Sequence, residues 1–255
     1  MSAFLAGLRI QFWSLHRGFD DLQAFLITPL VTLVFGGIVI SGGRRSLLPE
    51  AVLGAGLMGM WMLCVQLGGE IIASERSGGT FEPLESTPAQ LRMVVLGRVT
   101  MVSAVTLLAL PEAWLVALIV FRTPVPVPHP ALFAGAALLT LAGLHATAML
   151  FAGMFVLARN ALIFQNAMAY PVYLLSGLLV PVHLLPGWVQ PVSRLIFLSW
   201  GSDLLRAALS RAPADGADGK LIGLVVTAAA IAVIGQLVFG MVLRRARTNG
   251  TLSLM

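Results

Sequence analysis

Continuous apolar runs of roughly 19 residues or more recur along this chain, and at 1.5 Å per residue each can cross the ~30 Å hydrocarbon core of a bilayer as a helix. No other feature narrows the possible folds so far. The runs do not alternate in polarity as barrel strands do, and they abound in Leu, Ala and Met, so helices are expected rather than strands. Only 11% of the 255 residues are charged, against about a quarter in soluble domains, and the mean hydropathy is +0.92. The expected fold class is an all-α membrane protein, one transmembrane domain over residues 1–255.

Six spans are predicted, over 22–40, 51–69, 93–121, 131–158, 161–182 and 221–243. Pro29 predicts a kink in the first. Ahead of it, Phe4, Leu8, Phe12, Leu15 and Phe19 share a stripe at 100° per residue while Arg9, His16 and Arg17 point elsewhere. That pattern predicts an N-terminal interfacial amphipathic helix over 3–19, the other reading being an extension of the first span. The run 122–130 (RTPVPVPHP) predicts a stiff loop. Residues 183–210 are apolar but broken by Pro186, Gly187, Pro191 and Gly201, with Pro181 just ahead and Arg194 inside. They predict a re-entrant helix pair before the last span, held against other helices. A hydrophilic loop is expected over 212–220.

An even span count puts both termini on one side. The basic tail Arg244, Arg245 and Arg247, with Arg9 and Arg17, places that side in the cytoplasm. Of the 16 basic residues only Lys220 is lysine, which with the abundance of Ala, Gly and Val fits a GC-rich bacterial genome and so a bacterial plasma membrane. The net charge of +5 suits anionic headgroups, and no stripe of basic residues suggests nucleic acid. The single cysteine, Cys64, excludes an internal disulfide. No cleavable signal peptide is expected, since the first apolar run is too long for one and follows an extended amphipathic segment.

The longest polar stretch between spans, within 74–92, has its own local logic. It reads Ser74-Glu75-Arg76-Ser77-Gly78-Gly79-Thr80-Phe81-Glu82-Pro83-Leu84-Glu85-Ser86-Thr87-Pro88. The glycines permit a tight reversal. Thr80 can cap a short helix carrying Glu82 and Pro83 in its first turn. Thr87 can cap the next helix, with Pro88 at its first position and Gln90 placed for a capping box. A capped loop without a partner is the plainer reading of the same residues.

The run Gly79-Thr80-Phe81-Glu82, then Leu84, then Thr87-Pro88, resembles the cytosolic loop of ABC-2 type permeases, the membrane subunits of ATP-binding-cassette exporters for drugs and glycoconjugates. Further along, Ser176-Gly177, Pro181 and Leu185-Pro186-Gly187-Trp188 resemble the family's proline-broken segment before the last span. Asp203, Leu205 and Arg206 keep its acidic-x-Leu-Arg ending, whereas Phe197-Leu198-Ser199-Trp200 depart from the usual Pro-Leu-Thr-Tyr. The resemblance implies a coupling helix that docks on a nucleotide-binding subunit through Glu75, Gly79, Thr80, Phe81, Glu82, Leu84, Thr87 and Pro88. It also implies a second permease copy or a related permease, with ATP and Mg on the ATPase partner and no cofactor on this chain. Efflux of an amphipathic or hydrophobic substrate, as in drug resistance, is then expected. The chain carries no P-loop of its own, because Lys220 sits in Gly219-Lys220-Leu221 without the following Ser or Thr.

Glu112 is the most unusual residue inside a predicted span, since a carboxylate there is costly. Either it faces a hydrated translocation path or a basic substrate group, or it pairs with an arginine of segment 183–210 or snorkels. His145, Gln165, Asn166 and Gln236 are expected to bond between helices. No catalytic residue or metal site is expected. The four histidines and one cysteine lack metal spacing, and Asp215–Gly219 lacks the later ligands of a calcium loop. A secondary transporter would need paired intramembrane charges and inverted repeats, and an intramembrane enzyme would need a nucleophile facing a base, for which Ser176 and His145 offer only a remote pairing.

Overall fold

A computed structural model of the chain describes residues 2–17, 19–77, 88–157, 161–211 and 216–249. Among these residues the regular structure is helical. In order, the helices are α1 (Ala3–Arg17), α2 (Phe19–Ser41), α3 (Leu48–Ser77), α4 (Pro88–Thr106), α5 (Ala109–Ile119), α6 (Pro130–Leu157), α7 (Ala161–Leu175), α8 (Phe197–Leu209) and α9 (Ala217–Asn249). Single 3-10 turns occupy Arg45–Leu47 and Val182–Leu184, and one α-turn occupies Gln190–Ser193. Four segments among the described residues are long and apolar enough to cross a membrane: Arg45–Gly68, Arg92–Ile119, Pro130–Met154 and Ala217–Met241. A shorter apolar stretch, Phe25–Ser41, lies in α2.

The bundle is organised around α3, which packs against α2, α4, α5, α6, α7 and α8. Its most apolar stretch is 78% buried. Leu53, Leu57, Met60, Leu63 and Cys64 have no exposed surface. At the other extreme, only 11% of the corresponding stretch of α9 is buried, although α9 packs along α6 and α8. A helix apolar on every face and buried on so few is a lipid-facing one. The end of the bundle bearing residues 42–47 and 120–129 is termed distal; α1 lies at the proximal end.

Several boundaries differ from the sequence reading. The third predicted span, 93–121, is two helices, because Pro111 has no amide to offer the Leu107 carbonyl and its ring would crowd that oxygen. The chain responds with 3-10-type bonds, Leu108 amide to Val105 carbonyl (3.0 Å) and Leu110 amide to Leu107 carbonyl (3.3 Å). The fifth predicted span stops at Leu175, seven residues early, where Gly177 turns the chain at a φ of +76°. The last helix begins at Ala217, taking Asp218, Gly219 and Lys220 from the expected loop; Asp218 sits in its first turn, where a carboxylate suits the helix dipole. Segment 183–210 carries the single α-turn Gln190–Ser193 and then the longer helix α8.

Helix α1 also departs from its expected stripe. Gly7 and Gln11 are buried and Phe4, Leu8 and Leu15 half-buried, whereas Phe12 is 43% exposed beside Trp13 and Ile10. The inward face follows the 4, 7, 8, 11, 15 spacing of a helix docked on another helix, and that partner is α4.

Candidate functional site

At the proximal end, α1 and α4 meet through two glycines that face each other's backbone. A Cβ on Gly7 would stand 2.2 Å from the Val94 carbonyl oxygen, and one on Gly97 would stand 2.2 Å from that of Phe4. Neither position admits a side chain without moving a helix. Beside this contact the Arg98 Nε donates to Gln11 Oε1 at 2.8 Å, with both residues 4% exposed. Farther toward the start of α4, the Arg92 Nη2 donates to Gln236 Oε1 on α9. The first turns of α4 are therefore bound on one side to α1 and on another to α9.

Helix α4 is described from Pro88, and Glu75 lies in the last turns of α3. Gly79, Thr80, Phe81, Glu82, Leu84 and Thr87 lie outside the described residues. The connection that carries them joins the most buried helix of the bundle to the helix on which α1 is docked.

Glu112 sits in the first turn of α5, just past the break caused by Pro111. The positive end of the helix dipole is a favourable place for a carboxylate. Its Oε2 is buried and has no hydrogen-bond partner among the described residues. The two arginines of segment 183–210 are engaged elsewhere. Arg194 pairs with Asp203 at 2.7 Å and stacks over the Trp200 ring at 4.5 Å. Arg206 donates its Nη2 to the carbonyls of Gly177 (2.5 Å) and Leu178 (3.2 Å).

That last contact closes the end of α7. Carbonyls freed where a helix stops among apolar neighbours need donors from the protein. Ser202 supplies one to the Ser176 carbonyl at 3.1 Å, and Arg206 supplies the next two. Gly54 of α3 lies so close that a Cβ there would be 2.7 Å from the Leu178 oxygen. The unwound turn after α7 is thus held between α3 and α8.

Of the other polar residues singled out, His145 Nδ1 lies 3.1 Å from the Ser103 hydroxyl, joining α6 to α4, and Gln236 bonds Arg92 as described. The side chains of Gln165 and Asn166 lie outside the described residues. Cys64 is buried, its thiol 3.2 Å from the Leu144 carbonyl. Ser176 and His145 make separate contacts, the Ser176 hydroxyl, just past the end of α7, donating back to the Val172 carbonyl. No cluster of three or more His, Cys, Asp or Glu that could hold a metal occurs among the described residues.

The Arg98–Gln11 and Arg206–Gly177 contacts escaped the sequence reading. A signal for the first was present: Gln11 and Gly7 fall on the stripe of Phe4, Leu8 and Leu15, where apolar contact with lipid alone would favour neither.

Among curated proteins, none matches the chain. The sequence profile of the family described as ABC-2 type transporter matches residues 3–210, most of the chain, and the chain belongs to that family.

Proposed function

We propose that the chain is the permease subunit of an ATP-driven exporter, coupled to a separate ATPase subunit that holds ATP and Mg. The observation that carries this reading is the mechanical setting of the segment 78–87. It leads directly into α4, whose first turns are tied to α1 by Gly7, Gly97 and Arg98 and to α9 by Arg92. A displacement imposed just ahead of Pro88 would be delivered to three helices together.

In this reading the chain crosses the membrane six times with both termini cytoplasmic. Helix α2 makes the first crossing, α4 with α5 the third, and α7 with its unwound continuation the fifth. Segment 183–210 lies re-entrant at the outer face, which is the distal end. Residues Glu75, Gly79, Thr80, Phe81, Glu82, Leu84, Thr87 and Pro88 form the coupling contact, where carboxylates suit Arg or Lys on the partner. A second copy, or a related permease, completes the pathway across a symmetric interface. Closure of the ATPase subunits tilts the spans as rigid bodies. The apolar walls suit an amphipathic or hydrophobic substrate, and Glu112 contributes a charge to its path.

The test is Glu82→Arg. Reversing the charge replaces an attraction with a repulsion at a contact whose loss costs ~2–5 kcal/mol, so the ATPase should cease to co-purify while the permease inserts at normal yield. Wild-type co-purification with unchanged stimulated hydrolysis would remove the docking assignment.

A further inference from the structure

Between α5, the proline-rich loop and the start of α6 runs an open groove of about 470 Å³. Its walls include Leu110, Trp114, Leu118, Val125, Val127 and Phe133, with Trp114 and Phe133 meeting edge to face at 5.6 Å. From Leu110 to Leu118 it follows α5 for ~12 Å at the helical rise, close to the ~15 Å depth of one leaflet. Leu115 and Leu118 on its rim are each 53% exposed, so it opens on the side of the bundle.

In the chain between two residues of the groove wall, Leu118 and Pro124, the backbone carries an outlier. Helix α5 ends in a left-handed turn, with the Thr123 amide reaching back to the Ala117 carbonyl at 3.1 Å. The residue in the left-handed conformation is Arg122, at a φ of +50°. It is the one non-glycine with positive φ among the described residues. Glycine is the usual occupant of such a position, because a Cβ there costs backbone energy. Strain of this kind, held where glycine would relieve it, points to a use for the side chain. Arg122 is exposed and makes no ion pair among the described residues. Arg44 and Arg45, also exposed, stand on the same end of the bundle.

We infer that this groove is a binding site for a phospholipid of the distal leaflet, with an acyl chain along Trp114 and Leu118 and an anionic headgroup on Arg122. Its wall runs along two turns of α5, from Leu110 to Leu118, as an extended acyl chain requires. A guanidinium offers paired donors to a phosphate, and the cationic rim favours a net-negative lipid over a zwitterionic one. The stiff loop over 122–130 keeps the groove formed when it is empty, since prolines limit its collapse. The bound lipid belongs to the surrounding membrane; it is not the transported substrate.

The site is tested on the full-length permease in phosphatidylcholine vesicles, without the ATPase, so that failure here leaves the exporter reading untouched. Phosphatidylglycerol and phosphatidylcholine probes bearing a diazirine in the acyl chain are photolysed, and the labelled peptides are mapped. Labelling is expected at Trp114 and Phe133, about fivefold stronger for phosphatidylglycerol. Arg122→Gln should erase the headgroup preference while phosphatidylcholine labelling persists. Arg122→Gly should do the same yet raise the thermal midpoint, because it relieves the turn; a purely structural arginine would not separate the two effects. Leu118→Trp, or Val127→Phe if that variant misfolds, should fill the groove and abolish its labelling. Labelling equal to that on the exposed face of α9 and unaffected by these variants would mean ordinary boundary lipid and overturn the site. A parallel measurement with the ATPase and ATP distinguishes the source: labelling that falls with turnover would mark a transported amphiphile and overturn it equally.

Discussion

The Arg98 Nε donates to Gln11 Oε1 at 2.8 Å with both side chains all but inaccessible, and this bond fixes the N-terminal helix to α4. A guanidinium buried beside apolar helices needs each of its acceptors. Gln11→Leu keeps the volume of the side chain but removes one of them, which should cost about 1–3 kcal/mol. Gln11→Glu should retain most of the stability, because a carboxylate accepts the same bond. Thermal unfolding in detergent compares the two. If Gln11→Leu melts with the wild type, the bond does not hold α1 in place.

The glycine contact has its own test. Gly97→Val places branched atoms where even a Cβ would lie 2.2 Å from the Phe4 oxygen, so α1 must move away from α4. Overpacking of this kind costs roughly 1–3 kcal/mol. Thermal unfolding in detergent measures the loss, and a midpoint equal to that of the wild type would show that α1 had not been displaced.

Arg206 carries a heavier duty at the other end. Its Nη2 serves the Gly177 and Leu178 carbonyls where α7 ends. Arg206→Leu leaves both without that donor, at about 1.5–3 kcal/mol for a charged bond. Arg206→Lys should restore part of this, since an ammonium can reach only as a point donor. A readout confined to the turn is protease sensitivity after Leu175, which should rise in Arg206→Leu before global unfolding does.

Much of this architecture was legible in the sequence, and the physical reason differs by element. The long spans announce themselves because apolar length is all that a bilayer requires. The break at Leu107 was latent in Pro111, a residue whose missing donor acts four positions upstream, so the span boundary read from hydropathy alone passed over it. The early end of α7 lay in Gly177, ahead of the more conspicuous Pro181. Helix docking by Gly7 and Gly97 is silent in any hydropathy profile, because what matters there is the absence of atoms. The residues before Pro88, on which the capping pattern and most of the coupling assignment rest, lie outside the described structure.

Glu112 offers a test that separates transport from stability. Its Oε2 is buried without a partner among the described residues, so Glu112→Gln removes the cost of a poorly compensated charge and should leave insertion intact. With the carboxylate on the substrate path, efflux of cationic substrates should fall several-fold more than efflux of neutral ones. Equal efflux of both classes, with a raised thermal midpoint in detergent, would make Glu112 a structural residue.

The disposition of the chain across the membrane can be decided by accessibility. The turns between Pro181 and Ile196 are too short to cross: Val182–Leu184 and Gln190–Ser193 are single turns. Helix α8, with 13 residues, spans ~20 Å at 1.5 Å per residue, short of the ~30 Å core. Segment 183–210 therefore should leave the chain on the side where it entered, and α9 should then carry the tail back. Single cysteines at Ser2, Gly187, Asp215 and Thr251, in a Cys64→Ala background, are exposed to an impermeant thiol reagent in intact cells. Asp215 should react from outside and Gly187 with it, while Ser2 and Thr251 should react only after the cells are opened. Reaction of Thr251 but not Asp215 from outside would reverse α9 and with it the side on which the segment before Pro88 lies, so the coupling assignment would fall together with the six-span topology.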